Sequence, residues 1–342
     1  MGSIPTPKLS CEADTDKRRR RRRRKEYRLL DRIQGKLERR WRTPIFNDDQ
    51  LAEVCVTRGA PFDIDNDDPL DFDPRYFLPG TEEDVDRGME LSRQDPTIPR
   101  DNIEWYLHQP IQCHRIRQGT LRYFESCKDN RVREGEYHDT FFHKNTINIT
   151  GWEKHWQVNT DKAPYFWRSW ESPDNGEPCA HVIRSGRYFW WRKPGLEPWE
   201  FNSDVPHAMA TVSDSEVPRN GGLLRSELLV AVRLIKSQIA HLNVYIDHRV
   251  CPGLIISFHG RFSARVVQVS IENGVFTVRP SRLLNLHVTD ITPDVRLALR
   301  WYNCLPVGDT RYPISTVENL DPDDGSEEIE ITSLKIVDGQ AA

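Results

Sequence analysis

Three stretches of the chain repeat apolar residues at helical spacing. In the first, Leu29, Ile33, Leu37 and Trp41 follow one another at i+4, with Arg28, Arg32, Lys36 and Arg39 around them and Pro44 closing the pattern. In the second, Leu224, Leu228, Ala231, Ile235, Ile239 and Leu242 keep the period from Leu223 to about Leu242. Leu229, Val230, Val232 and Leu234 widen that stripe, so this helix is predicted to be largely buried, while Arg225, Glu227, Arg233 and Lys236 exclude a membrane span. The third opens on Thr292-Pro293-Asp294, an N-cap followed by proline at the first helical position, and runs from Val295 to Cys304.

Strand patterns lie between the second and third helices. Gly253 to His259, Arg265 to Ile271 and Val275 to Arg279 read as consecutive strands. Asn273-Gly274 joins the last two and predicts a type I′ turn, since both residues accept positive φ. Ser185-Gly186 predicts a second, shorter hairpin between His181 to Ile183 and Arg187 to Trp191. The expected fold is α+β: antiparallel hairpins or a meander packed on a long buried helix.

Charge and composition set the limits of this body. Lys17, Arg18, Arg19, Arg20, Arg21, Arg22, Arg23, Arg24 and Lys25 form an unbroken cationic run, whose mutual repulsion predicts disorder when it stands alone. Residues 17–42 hold 15 Lys or Arg against Glu26, Asp31 and Glu38, a balance of +12, whereas the whole chain carries −4. With −2 in residues 1–16, residues 43–342 carry −14. The division predicted is a disordered polybasic arm with a short amphipathic helix over 1–44 and an acidic irregular linker or wrap over 45–100. A tryptophan-rich α+β body over 101–315 and an acidic disordered tail over 316–342 complete it. Charge complementarity predicts that the acidic stretch around Asp63, Asp65, Asp67, Asp68, Asp71 and Asp73 folds over the arm.

The helix LRSELLVAVRLIKSQI and the strands PGLIISFHGRFSARVVQVSIENGVFTVRPSRLLNL resemble a module that recurs in uncharacterised proteins of filamentous fungi. The likeness covers about residues 221–287 and implies a fold unit without a known activity or site residues. It also implies a rival reading: an accessory protein or unrecognised enzyme of fungal secondary metabolism, with a ligand pocket lined by tryptophan.

Candidate chemistry is sparse. Seven cysteines without a Cys-x-x-Cys pair fit free thiols in a reducing compartment. Nucleophile-elbow, Walker, dinucleotide-binding, zincin and kinase motifs are all missing, so no catalytic residue and no cofactor is expected. Cys113, His114, Cys127, His138 and His143 fall within 31 residues, but the two cysteines are too far apart for a zinc finger, and no metal is expected. Asp63-x-Asp65-x-Asp67 begins like a calcium loop and then places Asp68 where glycine and Pro74 where glutamate is needed. The run Lys17 to Lys25 is the candidate nuclear-import or phosphate-binding segment, with an import receptor and nucleic acid as partners and the nucleus as compartment, the cytoplasm being the alternative. Trp167, Trp170, Trp190, Trp191 and Trp199, with Arg168, Arg184, Arg187 and Arg192 among them, form a candidate ligand surface, or else core. In the tail, Leu334, Ile336 and Val337 beside acids suit strand addition to a protein partner. Neither a signal peptide nor an 18-residue apolar run is present, so no membrane is expected as a partner.

Overall fold

A computed structural model of the chain describes residues 8–66, 73–87, 152–154, 183–191, 202–214, 216–219, 221–240, 244–259, 263–286 and 292–313, with side chains omitted for 8–14, 152–154, 183–191 and 213. In chain order the elements are α1 (Lys8–Arg39), β1 (Ile45–Phe46), α2 (Asp48–Glu53), β2 (Thr57–Arg58), β3 (Phe77–Leu78), β4 (Trp152–Lys154), β5 (Ile183–Trp191), β6 (Ala208–Asp214) and β7 (Leu223–Leu224). After these come α3 (Arg225–Ala240), β8 (Cys251–His259), β9 (Ser263–Glu272), β10 (Val275–Pro280), β11 (Leu284–Asn285), α4 (Pro293–Tyr302) and β12 (Leu305–Pro306).

One mixed sheet organises the body. Its order is β2-β10-β9-β8-β6-β5-β4, with β11 also paired to β9. The expected meander is present as β8, β9 and β10, all antiparallel neighbours. Asn273 and Gly274 turn between the last two with φ of 51° and 75°, the positive values that a type I′ turn requires. β6 and β8 are parallel, which a short turn cannot join, and α3 supplies the crossover between them.

Both faces of the sheet are covered, because successive side chains on a strand point opposite ways. Toward α1 and α3 lie Cys251 and Ile255 of β8 and Val267, Val269 and Ile271 of β9, in one cluster with Leu30, Ile33, Leu37, Leu228, Ala231 and Ile235. Toward α4 lie Leu254, Ile256 and Phe258 of β8 with Ala264 and Val266 of β9, packed with Leu299, Trp301 and Tyr302. Gly253 lets α3 approach the sheet closely, since a Cβ there would stand 2.8 Å from Leu234 Cδ2 and 2.9 Å from Val269 Cγ2.

The predicted buried helix is observed with eleven of its residues buried, although Leu223 and Leu224 form β7 and not its first turn. β7 pairs with β1, and Arg225 N donates to Pro44 O at 2.8 Å, so the chain leaving α1 is hydrogen-bonded to the start of α3. Thr292 caps α4 through Val295 N, with proline at the helix start as expected. The hairpin expected around Ser185-Gly186 is corrected: Ile183–Trp191 is one strand paired with β6, and its register shifts between Ser185 and Tyr188. A glycine inside a strand absorbs such an irregularity as readily as it makes a turn.

Segments 45–66 and 73–87 pack along the body. Phe62, Ile64, Tyr76, Phe77 and Val85 are buried in the cluster beneath α4. The described acids of the stretch from Asp63 to Asp73 do not cover the basic helix: Asp65 pairs with Arg282 at 2.6 Å, Asp73 lies 3.7 Å from Arg279, and Asp63 accepts from Asn66 at 2.7 Å. The meander's own arginines are nearer partners than the arm. Asp67, Asp68 and Asp71 lie outside the described residues.

Candidate functional site

The basic run is ordered, which corrects the expectation of an unstructured arm. Lys17 to Lys25 lie inside α1, a helix of 32 residues. Arginine is a good helix former, and the repulsion is relieved on the inward turn. Glu26 accepts from Arg22 at 3.2 Å and from Arg23 at 2.7 Å. Arg23 is 2% exposed and also donates to His248 O at 2.5 Å, Arg22 reaches Arg249 O at 3.3 Å, and Arg19 pairs with Asp247 at 2.7 Å. Below these anchors Leu30, Ile33 and Leu37 are buried against α3. Trp41, expected on the apolar stripe, is 47% exposed because the helix ends at Arg39 before the stripe reaches it.

All three acids of this segment are engaged by cations. Glu26 is buried, Asp31 pairs with Lys236 of α3, and Glu38 lies 3.9 Å from Arg233 of α3. Opposite the buried face, Lys17, Arg21, Arg24, Arg28, Arg32 and Arg39 are all exposed. Their spacings of three, four and seven residues place them along one ridge. At 1.5 Å per residue the ridge is about 33 Å long. Arg18, Arg20 and Lys25 are exposed on its flanks. A reading based on the contiguous run misses that the pattern continues to Arg28, Arg32 and Arg39.

The tryptophan candidates are only partly placed. Trp190 and Trp191 occupy successive positions on β5, Trp191 in register with Trp152 of β4 and Trp190 with Ala208 of β6. Trp167, Trp170 and Trp199 lie outside the described residues, as do Cys113, His114, Cys127, His138 and His143 and the tail from residue 314. Among the described residues, an open concavity of about 620 Å³ is lined by Leu29, Asp48, Cys55, Arg58, Val275 and Phe276 and by no tryptophan. No group of three or more His, Cys, Asp or Glu side chains among the described residues is arranged to hold a metal.

A buried polar cluster at the N-terminus of α3 is the feature sequence reasoning did not assemble. The register sets Asp214 of β6 opposite His259 of β8, and Ser257 opposite Arg265 of β9. α3 lowers Ser226 and Glu227 onto these positions. Arg265 Nε donates to Glu227 Oε1 at 2.7 Å, its Nη2 donates to Glu227 Oε2, and Leu224 N donates to Oε2 at 2.8 Å. Ser226 donates to Asp214 Oδ2 at 2.5 Å. Burial pushes the Glu227 carboxyl up, but the Arg265 guanidinium and the hydrogen bond from His259 overcome it and hold the group well below the usual range. Burial pushes the pKa of His259 down, against the pull of Glu227.

The cluster has the residue types of a Ser-His-Glu triad and the wrong geometry. Ser257 Oγ lies 2.6 Å and Glu227 Oε1 3.1 Å from the same ring nitrogen, Nε2 of His259, while Nδ1 has no hydrogen-bond partner. A relay needs the hydroxyl and the carboxylate on opposite nitrogens, so that the ring can take a proton from one while the other orients it. With both groups on Nε2, the ring does not stand between the hydroxyl and the carboxylate. Glu227, Ser257 and His259 are also at most 1% exposed. The arrangement fixes α3 to the ends of β6, β8 and β9. Its signal in the sequence was Ser257, His259 and Arg265 standing at inward positions between apolar neighbours.

No protein family, no characterised protein and no solved structure matches the chain. Among the described residues no helix is long and apolar enough to cross a membrane.

Proposed function

We propose that this chain is a non-enzymatic nuclear interaction protein whose interaction element is α1. The observation that carries the reading is the outward ridge of six cations on a helix whose inward face is packed into the core. A helix stabilised only by its own propensity would not hold such a charge density, so the body of the protein serves as its mount. The buried cluster at α3 supports the non-enzymatic part, because its only nucleophile-like hydroxyl beside a histidine is sealed from substrate. Nuclear residence follows from the basic run, which an import receptor would engage through Lys17 to Lys25.

The test is localisation of the full chain fused to a fluorescent reporter, compared with a variant carrying Gln at Lys17, Arg18, Arg20, Arg21, Arg24 and Lys25. These positions are exposed, so the helix and its anchors at Arg19, Arg22 and Arg23 are retained. Nuclear enrichment is expected for the parent and loss of it for the variant. Equal enrichment of both contradicts the reading.

A further inference from the structure

We infer that the outward ridge of α1 binds the phosphate backbone of duplex nucleic acid, without regard to base sequence. The inference rests on α1 being the interaction element and adds which partner fits it. Three observations select the duplex. First, the charge is linear and rigid: Lys17, Arg21, Arg24, Arg28, Arg32 and Arg39 lie along about 33 Å of helix, close to the roughly 34 Å of one duplex turn. Such a line suits a partner whose charge is itself regular and dense, one phosphate per roughly 3.4 Å of axis on each strand.

Second, the exposed ridge contains no apolar residue. Leu30, Ile33 and Leu37 of α1 are turned into the core, each at 0% exposure. A helix that lies in a membrane surface needs that face free to enter the acyl boundary. Third, the ridge contains no aromatic residue on which bases could stack, as single-strand binding surfaces use. Trp41, the exposed aromatic that follows, lies beyond the helix end and has Arg42 over its ring at 4.7 Å. The acids within residues 17–42 are already engaged: Asp31 by Lys236, Glu38 near Arg233, and Glu26 by Arg22 and Arg23.

The ridge also distinguishes geometry from mere charge. Arg28, Arg32 and Arg39 lie outside the contiguous run but on the ridge, whereas Arg18, Arg20 and Lys25 lie inside the run but on its flanks. Two variants therefore remove the same charge: R28Q/R32Q/R39Q and R18Q/R20Q/K25Q. Binding of the full chain to two unrelated 20-base-pair duplexes is measured by fluorescence anisotropy between 50 and 300 mM salt, alongside vesicles containing phosphatidylserine.

The parent is expected to bind both duplexes alike, with log K falling against log salt at a slope of about −5. The ridge variant should lose about 2 to 3 units of that slope and the flank variant less than half as much. Equal losses in the two variants would overturn the ridge, and tighter binding to vesicles than to duplex would overturn the partner. Failure of the parent to bind any duplex at 50 mM salt would also overturn it. In that case nuclear enrichment dependent on the basic run would still stand, so the two readings fail separately.

Discussion

α1 and α3 lie side by side against one face of the same sheet and use that position differently. α3 buries eleven of its sixteen residues, including Glu227, which pairs with Arg265, and Gln238, whose Nε2 donates to Pro252 O at 2.8 Å. Over residues 17–39, α1 buries one stripe and leaves the opposite side to Lys, Arg, Asp31 and Gly35. The difference teaches how a protein can carry a long cationic run in an ordered state. The inward turn is neutralised by Glu26 and by the carbonyls of His248 and Arg249, and α3 supplies the apolar surface that pays for the remainder.

The comparison breaks most severely at the charge that α3 buries. Arg265→Ala leaves Glu227 without its guanidinium partner and is expected to cost about 3 to 5 kcal/mol in urea unfolding. A loss under about 1 kcal/mol would mean that Glu227 is hydrated and the cluster looser than described. Leu228→Ala and Ile235→Ala test the apolar side of the same helix and are each expected to cost about 2 to 5 kcal/mol. Melting within a degree or two of the parent would deny that α3 is core.

Acidification should act on the α3 side and around β3. His207 is buried beside Phe77, with ring centroids 5.2 Å apart, and burial lowers its pKa to about 4 despite its contact with Val307 O. A folded pKa below the unfolded value of 6.5 means that the unfolded chain takes up the proton first. The stability that neutral His207 contributes is present above about pH 6.5 and lost as the pH falls toward 4. Glu227, held ionised, adds a further loss below its ordinary value of 4.5. Stability measured from pH 7 to 4 should therefore fall, and less steeply in His207→Gln. A flat profile would contradict the burial of His207.

On α1 the expected effects are smaller. Arg23→Ala removes one donor from Glu26 and the bond to His248 O, and should cost about 1 to 3 kcal/mol. Arg28→Gln, on the exposed ridge, should change stability by less than about 0.5 kcal/mol while weakening duplex binding. A large stability loss at Arg28 would place that side chain in the core and remove the contrast between the helices.

The elements of the second half of the chain were legible because their signals are local. The period of Leu228, Ala231 and Ile235, the Asn273-Gly274 turn and the Thr292-Pro293 cap each act within a few residues. What escaped the sequence depends on distant partners. Charge repulsion in Lys17 to Lys25 argued for disorder, whereas the loop at Asp247 to Arg249, over 220 residues away, supplies partners for Arg19, Arg22 and Arg23. The buried cluster joins Asp214, Glu227, His259 and Arg265 from four elements, and no spacing rule connects them. Ser185-Gly186 misled because glycine serves a strand irregularity and a turn equally well.

The central claim is that the basic run belongs to a helix docked on the body, and amide hydrogen exchange of the full-length chain at neutral pH tests it most directly. The account predicts that amides from about Arg21 to Leu37 are protected as one segment, at a level set by the opening of α1 from α3. Exchange of Arg21 to Lys25 at the rate of an unstructured peptide, with protection beginning only near Leu30, would contradict it.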